Sequence, residues 1–327
     1  MTDQPIETRP KRTPGPDQIV TWTHRLQYIA FRFFKALVWL SPLWLMRALG
    51  SVFGWCYWAF DKRHRQVALI NFDLVFGQAK PEDEKQQEVK KAFIHFGQAL
   101  METLWFQRLN TKNHMKYVVI EGMNGFYEAL EHGKGLLLCS AHYGNWELLA
   151  NTLGLLKIPL SVMARPIDNP LVHVEVEKLR TQSGNRVIYK HKSARKVIGD
   201  LKENRVVGVV NDQDVHDQNR IFCDFFGHQA TATPLPATLA YKFGTPLICG
   251  FSEPIGKGRY LLRFSPLIWP DPTSPQEQEI QRITLQLNRE LEQQIQKSPT
   301  YWLWMHKRFK TTPEGPNPIY QQTRKVE

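Results

Sequence analysis

The chain has 327 residues, a length that fits one large domain or two small ones and is sufficient to bury a substantial core. Its 42 lysine and arginine residues outnumber 31 aspartate and glutamate residues, which gives a net charge of +11. We therefore expect an anionic partner: nucleic acid, an acidic membrane surface, or an acidic protein or substrate. The four cysteines stand far apart without a CxxC pair, which argues against a disulfide framework or a zinc cluster and fits a reducing compartment.

The N-terminal part predicts two segments. Residues 1–25 are polar and rich in proline, so we expect a disordered lead-in without a signal peptide. Residues 26–65 predict a membrane-anchoring helical segment, because residues 36–60 are apolar and carry one charge, Arg47. Arg47 disfavours a spanning helix and Pro42 favours a kink. A spanning or deeply inserted helix and two short interfacial helices both remain open, and a buried core helix is the plain alternative.

Helical and strand patterns alternate over residues 66–310, which predicts an α/β catalytic domain with a mixed, mostly parallel sheet flanked by helices. Strands are predicted at residues 135–141, 159–165, 186–190, 205–214, 245–251 and 259–268. Helices are predicted at residues 81–106, 145–156, 169–184, 193–204, 234–244 and 275–299. Residues 311–327 are expected to form a C-terminal tail.

Polar side chains follow three of the predicted strands. His142 comes after the first strand, Arg165 ends the second, and a cluster that includes Asp212 and Gln213 ends the fourth. Sites in open α/β sheets form beyond the carboxyl ends of strands, so these groups are expected to share one crevice. The plain alternatives are a solvated arginine and a turn cluster, since Asn and Asp favour turns.

The stretch SAHYGNWEL places a histidine and a glutamate five positions apart. On one continuous helix His142 and Glu147 would point about 140° apart. If a strand ends at His142 and a helix begins at Asn145, Glu147 can fold back from the first helical turn onto the imidazole. A carboxylate on one ring nitrogen makes the other nitrogen a better base, so we predict His142 as a general base that Glu147 orients.

Other interpretations of this stretch remain open at this point. The pair can be a helix start beside an incidental histidine. Cys139 can be proposed as a nucleophile, but its place inside an apolar strand pattern favours a small core residue. A metal site is disfavoured because the HExxH spacing is absent, and no metal ligands are assigned.

Four blocks in order resemble the lipid A late (secondary) acyltransferases of Gram-negative lipopolysaccharide synthesis, within the wider H-x4-D/E acyltransferase group. The blocks are AHYGNWE, ARPIDNP, NDQD before FCDFFGHQATAT, and WLWMHKRFK, and the likeness runs from about residue 28 to residue 308. The resemblance implies His142 and Glu147 as the catalytic pair, with Arg165, Asp212 and Gln213 at matching positions. Backbone N–H groups near Gly144 and Asn145, or Arg165, are then expected to stabilise an oxyanion. Binding of a phosphate group is the alternative role for Arg165.

The resemblance also implies a substrate pair and a location. It implies transfer of a fatty acyl chain, lauroyl or similar, from an acyl carrier protein thioester to the hydroxyl of a 3-hydroxyacyl chain on a Kdo-bearing lipid A precursor. It implies an inner-membrane enzyme whose catalytic domain lies on the cytoplasmic face, without a cofactor or nucleic acid. The basic block that includes Arg308 is predicted to face a headgroup or the carrier. The alternatives are an acyltransferase for another glycolipid or a lysophospholipid, and a non-enzymatic basic binding module.

Overall fold

The computed structural model describes residues 20–189, 193–215 and 218–324. The helices within these ranges are α1 (Trp22–Leu40), α2 (Leu43–Phe60), α3 (Lys62–Phe76), α4 (Glu82–Trp105), α5 (Asn124–Glu131), α6 (Trp146–Leu155), α7 (Pro170–Thr181), α8 (Ser193–Lys202), α9 (Leu235–Phe243) and α10 (Gln276–Lys297). The strands are β1 (Val118–Glu121), β2 (Leu136–Ser140), β3 (Leu160–Ala164), β4 (Arg186–Tyr189), β5 (Val206–Val210), β6 (Ile221–Phe225), β7 (His228–Ala232), β8 (Leu247–Pro254), β9 (Tyr260–Phe264), β10 (Thr311–Thr312) and β11 (Gly315–Pro316).

The central sheet of the described chain has seven strands in the order β1-β9-β8-β2-β5-β3-β4. The neighbours from β8 to β4 run parallel, whereas β9 is antiparallel to β8 and parallel to β1. The prediction of a mixed, mostly parallel sheet with flanking helices is confirmed. The sequence analysis did not predict β1, α5 or the antiparallel β6–β7 hairpin.

Alternating side chains of the buried strands feed two hydrophobic layers, one on each face of the sheet. Leu137 and Cys139 of β2 join the layer that contains α10, while Leu136 and Leu138 join the layer that contains α6. The apolar residues of α10 repeat every three or four positions, which gives this helix one buried face. Because helices cover both faces, the polar groups that follow the strands are concentrated at the sheet edge.

The apolar N-terminal block forms two helices that break at Ser41 and Pro42. The kink that Pro42 predicts is therefore confirmed. Pro42 is the N-cap of α2 and has extended backbone, which ends α1 at Leu40. None of the helices in the described ranges is both long enough and apolar enough to cross a bilayer. Helix α1 begins at Trp22, inside the stretch predicted as lead-in, and residues 1–19 of that stretch lie outside the described residues.

The C-terminal residues pack on the domain, although the sequence analysis set them apart as a tail. Tyr320 is buried, and its hydroxyl accepts from the Phe309 backbone N–H and hydrogen-bonds the side-chain oxygen of Asn71 on α3. The Asn71 amide in turn donates to the Trp304 and His306 carbonyls at 2.7 and 2.6 Å. These bonds fix the segment before the tail beneath the carboxyl ends of the strands.

Candidate active site

The strand order brings together the groups that the sequence analysis placed at strand ends. β2, β5 and β3 are adjacent and parallel, so their carboxyl ends meet at one edge of the sheet. His142 follows β2, Asp212 and Gln213 follow β5, and Arg165 follows β3. The topology therefore brings these strand ends together, as predicted. We call the region at the carboxyl ends of β2, β5 and β3 the catalytic edge.

His142 and Asp212 form a close pair across the catalytic edge. The Nδ1 atom of His142 lies 2.8 Å from Oδ1 of Asp212, and the backbone N–H of His142 donates to Oδ2 at 3.0 Å. Trp302 donates its indole N–H to the same Oδ2 at 2.9 Å. The two carboxylate oxygens are thus fixed by three donors, and the Nε2 atom is the ring nitrogen left for a substrate. The Trp146 ring packs edge-on against the imidazole at 5.0 Å between centroids.

The electrostatics of the pair favour a charged carboxylate and a basic imidazole. Burial disfavours the charge on Asp212, but the His142 charge and three hydrogen bonds outweigh it and lower the pKa of Asp212 to about 2. Burial also opposes protonation of His142, yet the charge and hydrogen bond of Asp212, with a smaller contribution from the charge of Glu147, raise the pKa of His142. The imidazole is therefore a stronger base than free histidine.

Glu147 lies in the first turn of α6, as predicted, but its hydrogen bonds are made to another residue. Both of its carboxylate oxygens accept from Arg180 of α7, Oε2 from Nε at 3.1 Å and Oε1 from a terminal nitrogen at 2.5 Å. The hydrogen bond to a ring nitrogen that we predicted for Glu147 is made by Asp212 instead, at Nδ1. Glu147 acts on His142 through space, by its charge.

The turn from His142 to Asn145 is shaped by Gly144. Its φ is +57°, and a Cβ added there would lie 1.5 Å from the Ser252 carbonyl oxygen, so only glycine fits. The Gly144 N–H donates to the Tyr301 carbonyl at 2.8 Å, and the Asn145 N–H donates to the Ser252 carbonyl at 3.3 Å. Both N–H groups are thus used to fix the turn, which contradicts our expectation that they face an oxyanion.

The Asn145 side chain caps α6, as predicted. Its Oδ1 accepts from the Leu148 N–H at 3.0 Å. The N–H groups of Trp146 and Glu147 lie in the same first turn, where an α-helix offers no intrahelical acceptor, so the helix presents donors beside His142.

The remaining predicted site residues, Gln213, Arg165 and Arg308, lie in three different environments. Gln213 approaches the catalytic pair, with its amide nitrogen 3.5 Å from Nδ1 of His142. Arg165 is exposed at the end of β3. Arg308 is only 1% exposed: its guanidinium lies 4.8 Å over the Phe225 ring and donates to the Thr231 carbonyl at 2.6 Å. Trp304, Met305 and Phe309 are buried with it, so the prediction that Arg308 faces a headgroup or the carrier is wrong, whereas Lys310 of the same block is exposed.

Two nearby side chains with nucleophilic groups are otherwise engaged. Cys139 is 2% exposed within β2, and burial raises the pKa of its thiol to about 12. The Ser140 hydroxyl donates to the Gly250 carbonyl at 2.7 Å. The interpretation of Cys139 as a core residue is confirmed, and neither the thiol nor the hydroxyl is free beside the imidazole.

Sequence comparisons identify the class to which this site belongs. Residues 17–311 match the family model described as bacterial lipid A biosynthesis acyltransferase. The chain is 28% identical to the lipid A biosynthesis lauroyltransferase of Escherichia coli K12, over 85% of this chain and 93% of that protein. It is 25% identical to the palmitoleoyltransferase of the same strain, over 90% and 97%, and 27% identical to a lipid A biosynthesis acyltransferase of Haemophilus influenzae, over 85% and 88%.

The chain therefore belongs to the bacterial lipid A biosynthesis acyltransferase family and is an acyltransferase. Two residues that shape its site were missed in the sequence analysis. Arg180 lies 33 positions from Glu147 in the last turn of an ordinary helical pattern. Trp302 falls in the block WLWMHKRFK, just before the residues that we interpreted as a basic surface, and was given no role.

Proposed function

We propose that this enzyme transfers a fatty acyl chain from an acyl carrier protein thioester to the hydroxyl of a 3-hydroxyacyl chain on a Kdo-bearing lipid A precursor. The observation that carries the proposal is the His142–Asp212 pair at the catalytic edge of a member of this family, with Nε2 open and the neighbouring thiol and hydroxyl engaged. Such a site suits direct attack by the acceptor hydroxyl. The net charge of +11 suits an acidic carrier protein and a phosphorylated acceptor.

The proposed step requires one base that later serves as an acid. The acceptor hydroxyl attacks the thioester carbonyl carbon while Nε2 of His142 takes its proton, and Asp212 stabilises the resulting imidazolium. The new carbon–oxygen ester bond forms, and the carbon–sulfur bond then breaks. The thiolate of the carrier leaves with the proton that His142 received, so the enzyme returns to its starting state.

The oxyanion of the tetrahedral intermediate needs donors other than the two N–H groups of the turn. Arg165, exposed at the end of β3, and the N-terminal N–H groups of α6 are the groups we assign to this role. The ion pair of Glu147 and Arg180 lies beside them, and the negative charge of Glu147 further supports the imidazolium.

The surface of α1 supports attachment at a membrane interface. Helix α1 is held to α7 by Lys35, which donates to Glu175 at 3.0 Å, and by Asn169, whose amide donates to the His24 carbonyl at 3.0 Å. The helix also has an apolar stripe whose members are 46–82% exposed and repeat every three or four positions: Trp22, Leu26, Ile29, Phe33, Leu37 and Leu40. We propose that this stripe lies in the cytoplasmic leaflet of the inner membrane, where the acceptor resides.

The decisive experiment combines lipid analysis with reconstitution. Mass spectrometry of lipid A from a strain that lacks the gene should show one secondary acyl chain missing, and the mass difference gives its length. Purified enzyme should restore that chain from the corresponding carrier-protein thioester. Normal lipid A in the deletion strain, with another glycolipid or a lysophospholipid lacking an acyl chain, would assign the enzyme to that acceptor instead.

A further inference from the structure

The one charged residue of the apolar N-terminal block makes an ion pair inside the protein. Arg47 of α2 donates through its guanidinium to Oε1 of Glu102 on α4. The Glu102 side chain is fully buried, while that of Arg47 is 24% exposed. A buried carboxylate is costly unless it is paired and hydrogen-bonded, so this arrangement is not explained by burial of apolar surface alone.

The second oxygen of Glu102 accepts a hydrogen bond from the Tyr260 hydroxyl of β9. The same turn of α4 holds the catalytic turn, residues 142–145: Thr103 donates to Oδ1 of Asn145 at 3.2 Å, and the Asn145 amide donates to the Ala99 carbonyl at 3.5 Å. Asn145 is the N-cap of α6 and lies three residues after His142. One buried carboxylate thus ties α2 and β9 to the turn of α4 that binds the residue at which the catalytic helix begins.

Helix α4 also reaches the same turn through Tyr301. The buried His95 ring of α4 packs edge-on against the Tyr301 ring at 4.8 Å between centroids, and the Tyr301 carbonyl accepts from the Gly144 N–H at 2.8 Å. Burial lowers the pKa of His95 to about 4, so this ring is neutral in the fold. Helix α4 therefore supports two successive residues of the turn, Asn145 directly and Gly144 through Tyr301.

Helices α2 and α4 meet backbone to backbone, so they form one stiff unit. A Cβ added to Gly97 of α4 would lie 2.2 Å from the Gly50 carbonyl oxygen, and one added to Gly54 would lie 2.2 Å from the Phe93 carbonyl oxygen. On its other side α2 exposes Trp44, Val52 and Phe60 at 69, 59 and 78%. A change in the orientation of α2 must therefore also move α4, because the two backbones are in direct contact.

We propose that Glu102 is a positioning residue, which holds Asn145 and the catalytic turn in register with the surface helix α2. The inference rests on the proposed function only for its activity assay. Glu102 touches neither reacting group; it acts through the α4 turn that binds Asn145, and Asn145 sets where α6 begins beside His142. Loss of the carboxylate displaces the turn, and a displacement of about 1 Å in an active site is enough to cost about 10²-fold in rate.

The test compares Glu102→Gln with Glu175→Gln in the full-length enzyme. Glu175 is a matched control because it is also a buried carboxylate paired with a lysine of a surface helix, Lys35 of α1, but it lies on α7 rather than on the α4 turn that hydrogen-bonds Asn145. We expect Glu102→Gln to lower kcat about tenfold to 10²-fold with KM for both substrates within about twofold. Glu175→Gln should leave kcat within about twofold.

A second measurement separates this inference from the proposed function. Amide hydrogen exchange of a peptide that covers residues 143–149 should rise in Glu102→Gln and stay at the wild-type level in Glu175→Gln. If the wild type fails to use the carrier thioester and lipid A precursor, the proposed function is lost, and hydrogen exchange alone decides about Glu102. Unchanged turnover in an active enzyme, or unchanged exchange, overturns the positioning role.

A double variant covers the case in which Glu102→Gln does not fold. Glu102→Gln combined with Arg47→Met removes both charges, so no unpaired charge is left buried and the fold is expected to persist. We expect the same loss of kcat and the same rise in exchange, because the link from α2 to the turn is still broken. A double variant with wild-type turnover and exchange would show that the ion pair has only a structural role.

Discussion

The N-terminal helix pair, α1 and α2, places apolar side chains at the surface, whereas the catalytic edge places a charged side chain in the interior. Both placements are the reverse of the usual one. Helices α1 and α2 expose large apolar residues, and Arg47 of α2 pairs with a fully buried carboxylate. The catalytic edge buries the carboxylate of Asp212 and uses it to hold an imidazole. An exposed apolar face and a buried charge both carry a cost, which makes each region a candidate for a functional surface.

The largest effect is expected when the catalytic edge loses its base. His142→Ala should lower kcat by about 10² to 10⁴, since general-base catalysis contributes that much. Acyl transfer from carrier-protein thioester to lipid precursor is the measurement. His132→Ala is the matched control, because His132 packs edge-on against Trp269 at the opposite end of the strands. Near-wild-type turnover of folded His142→Ala enzyme would remove His142 from the mechanism.

The second prediction concerns the buried partner of the base. Asp212→Asn should lower kcat by about 10²-fold or more, because a neutral amide can neither stabilise the imidazolium nor accept two N–H bonds from His142 and one from Trp302 as well as a carboxylate does. Single-turnover rates at saturating donor are the measurement. A variant that keeps half of the wild-type rate would show that Asp212 only supports the fold.

The third prediction tests the apolar face of the helix pair. Leu26→Ser with Phe33→Ser should weaken binding to vesicles of anionic phospholipid about tenfold or more, because each buried apolar side chain contributes about 1.5–3 kcal/mol. In detergent, kcat should stay unchanged. Trp269→Ser is the control, since Trp269 is partly exposed after β9, at the edge opposite the catalytic one. Equal vesicle binding by both variants would place the membrane surface elsewhere.

The same two regions show how far the sequence could be interpreted. Strand patterns and their polar ends were enough to predict the sheet and the convergence of His142 with Asp212, because parallel strands deliver their carboxyl ends to one edge. The partner of His142 could not be chosen from spacing. Glu147 is five residues away and Asp212 is 70, yet Arg180, on another helix, binds both oxygens of Glu147.

Burial of charge was the other property that the sequence did not reveal. Arg308 stands in a basic block, but the Phe225 ring and the Thr231 carbonyl give it an interior place. Arg47 was considered as the charge that disfavours a bilayer span, whereas its partner Glu102 lies 55 positions further on. Such pairs depend on which helix faces meet, and single-sequence periodicity predicts the faces without predicting their partners.

The smallest expected effect is a shift along the pH axis, and it distinguishes Asp212 from Glu147. His142 must be neutral to act as a base, so kcat/KM should rise with pH through a pKa above 6.5, the direction in which Asp212 shifts it. Asp212→Asn should move this inflection to lower pH, whereas Glu147→Gln should move it less, because its charge contributes less. A larger shift in Glu147→Gln would make Glu147 the principal electrostatic partner of His142.

The His142–Asp212 pair also determines whether the free energy of unfolding rises or falls with pH. The raised pKa of His142 contributes stability that is complete below pH 6.5 and is lost as pH rises through the folded-state pKa. The lowered pKa of Asp212 contributes stability that is present above pH 3.8 and is lost as pH falls through about 2. The free energies of unfolding of wild type and Asp212→Asn, measured in denaturant, should therefore converge in acid and differ at neutral pH. If the difference persisted unchanged at pH 2, the contribution of Asp212 would be packing rather than charge.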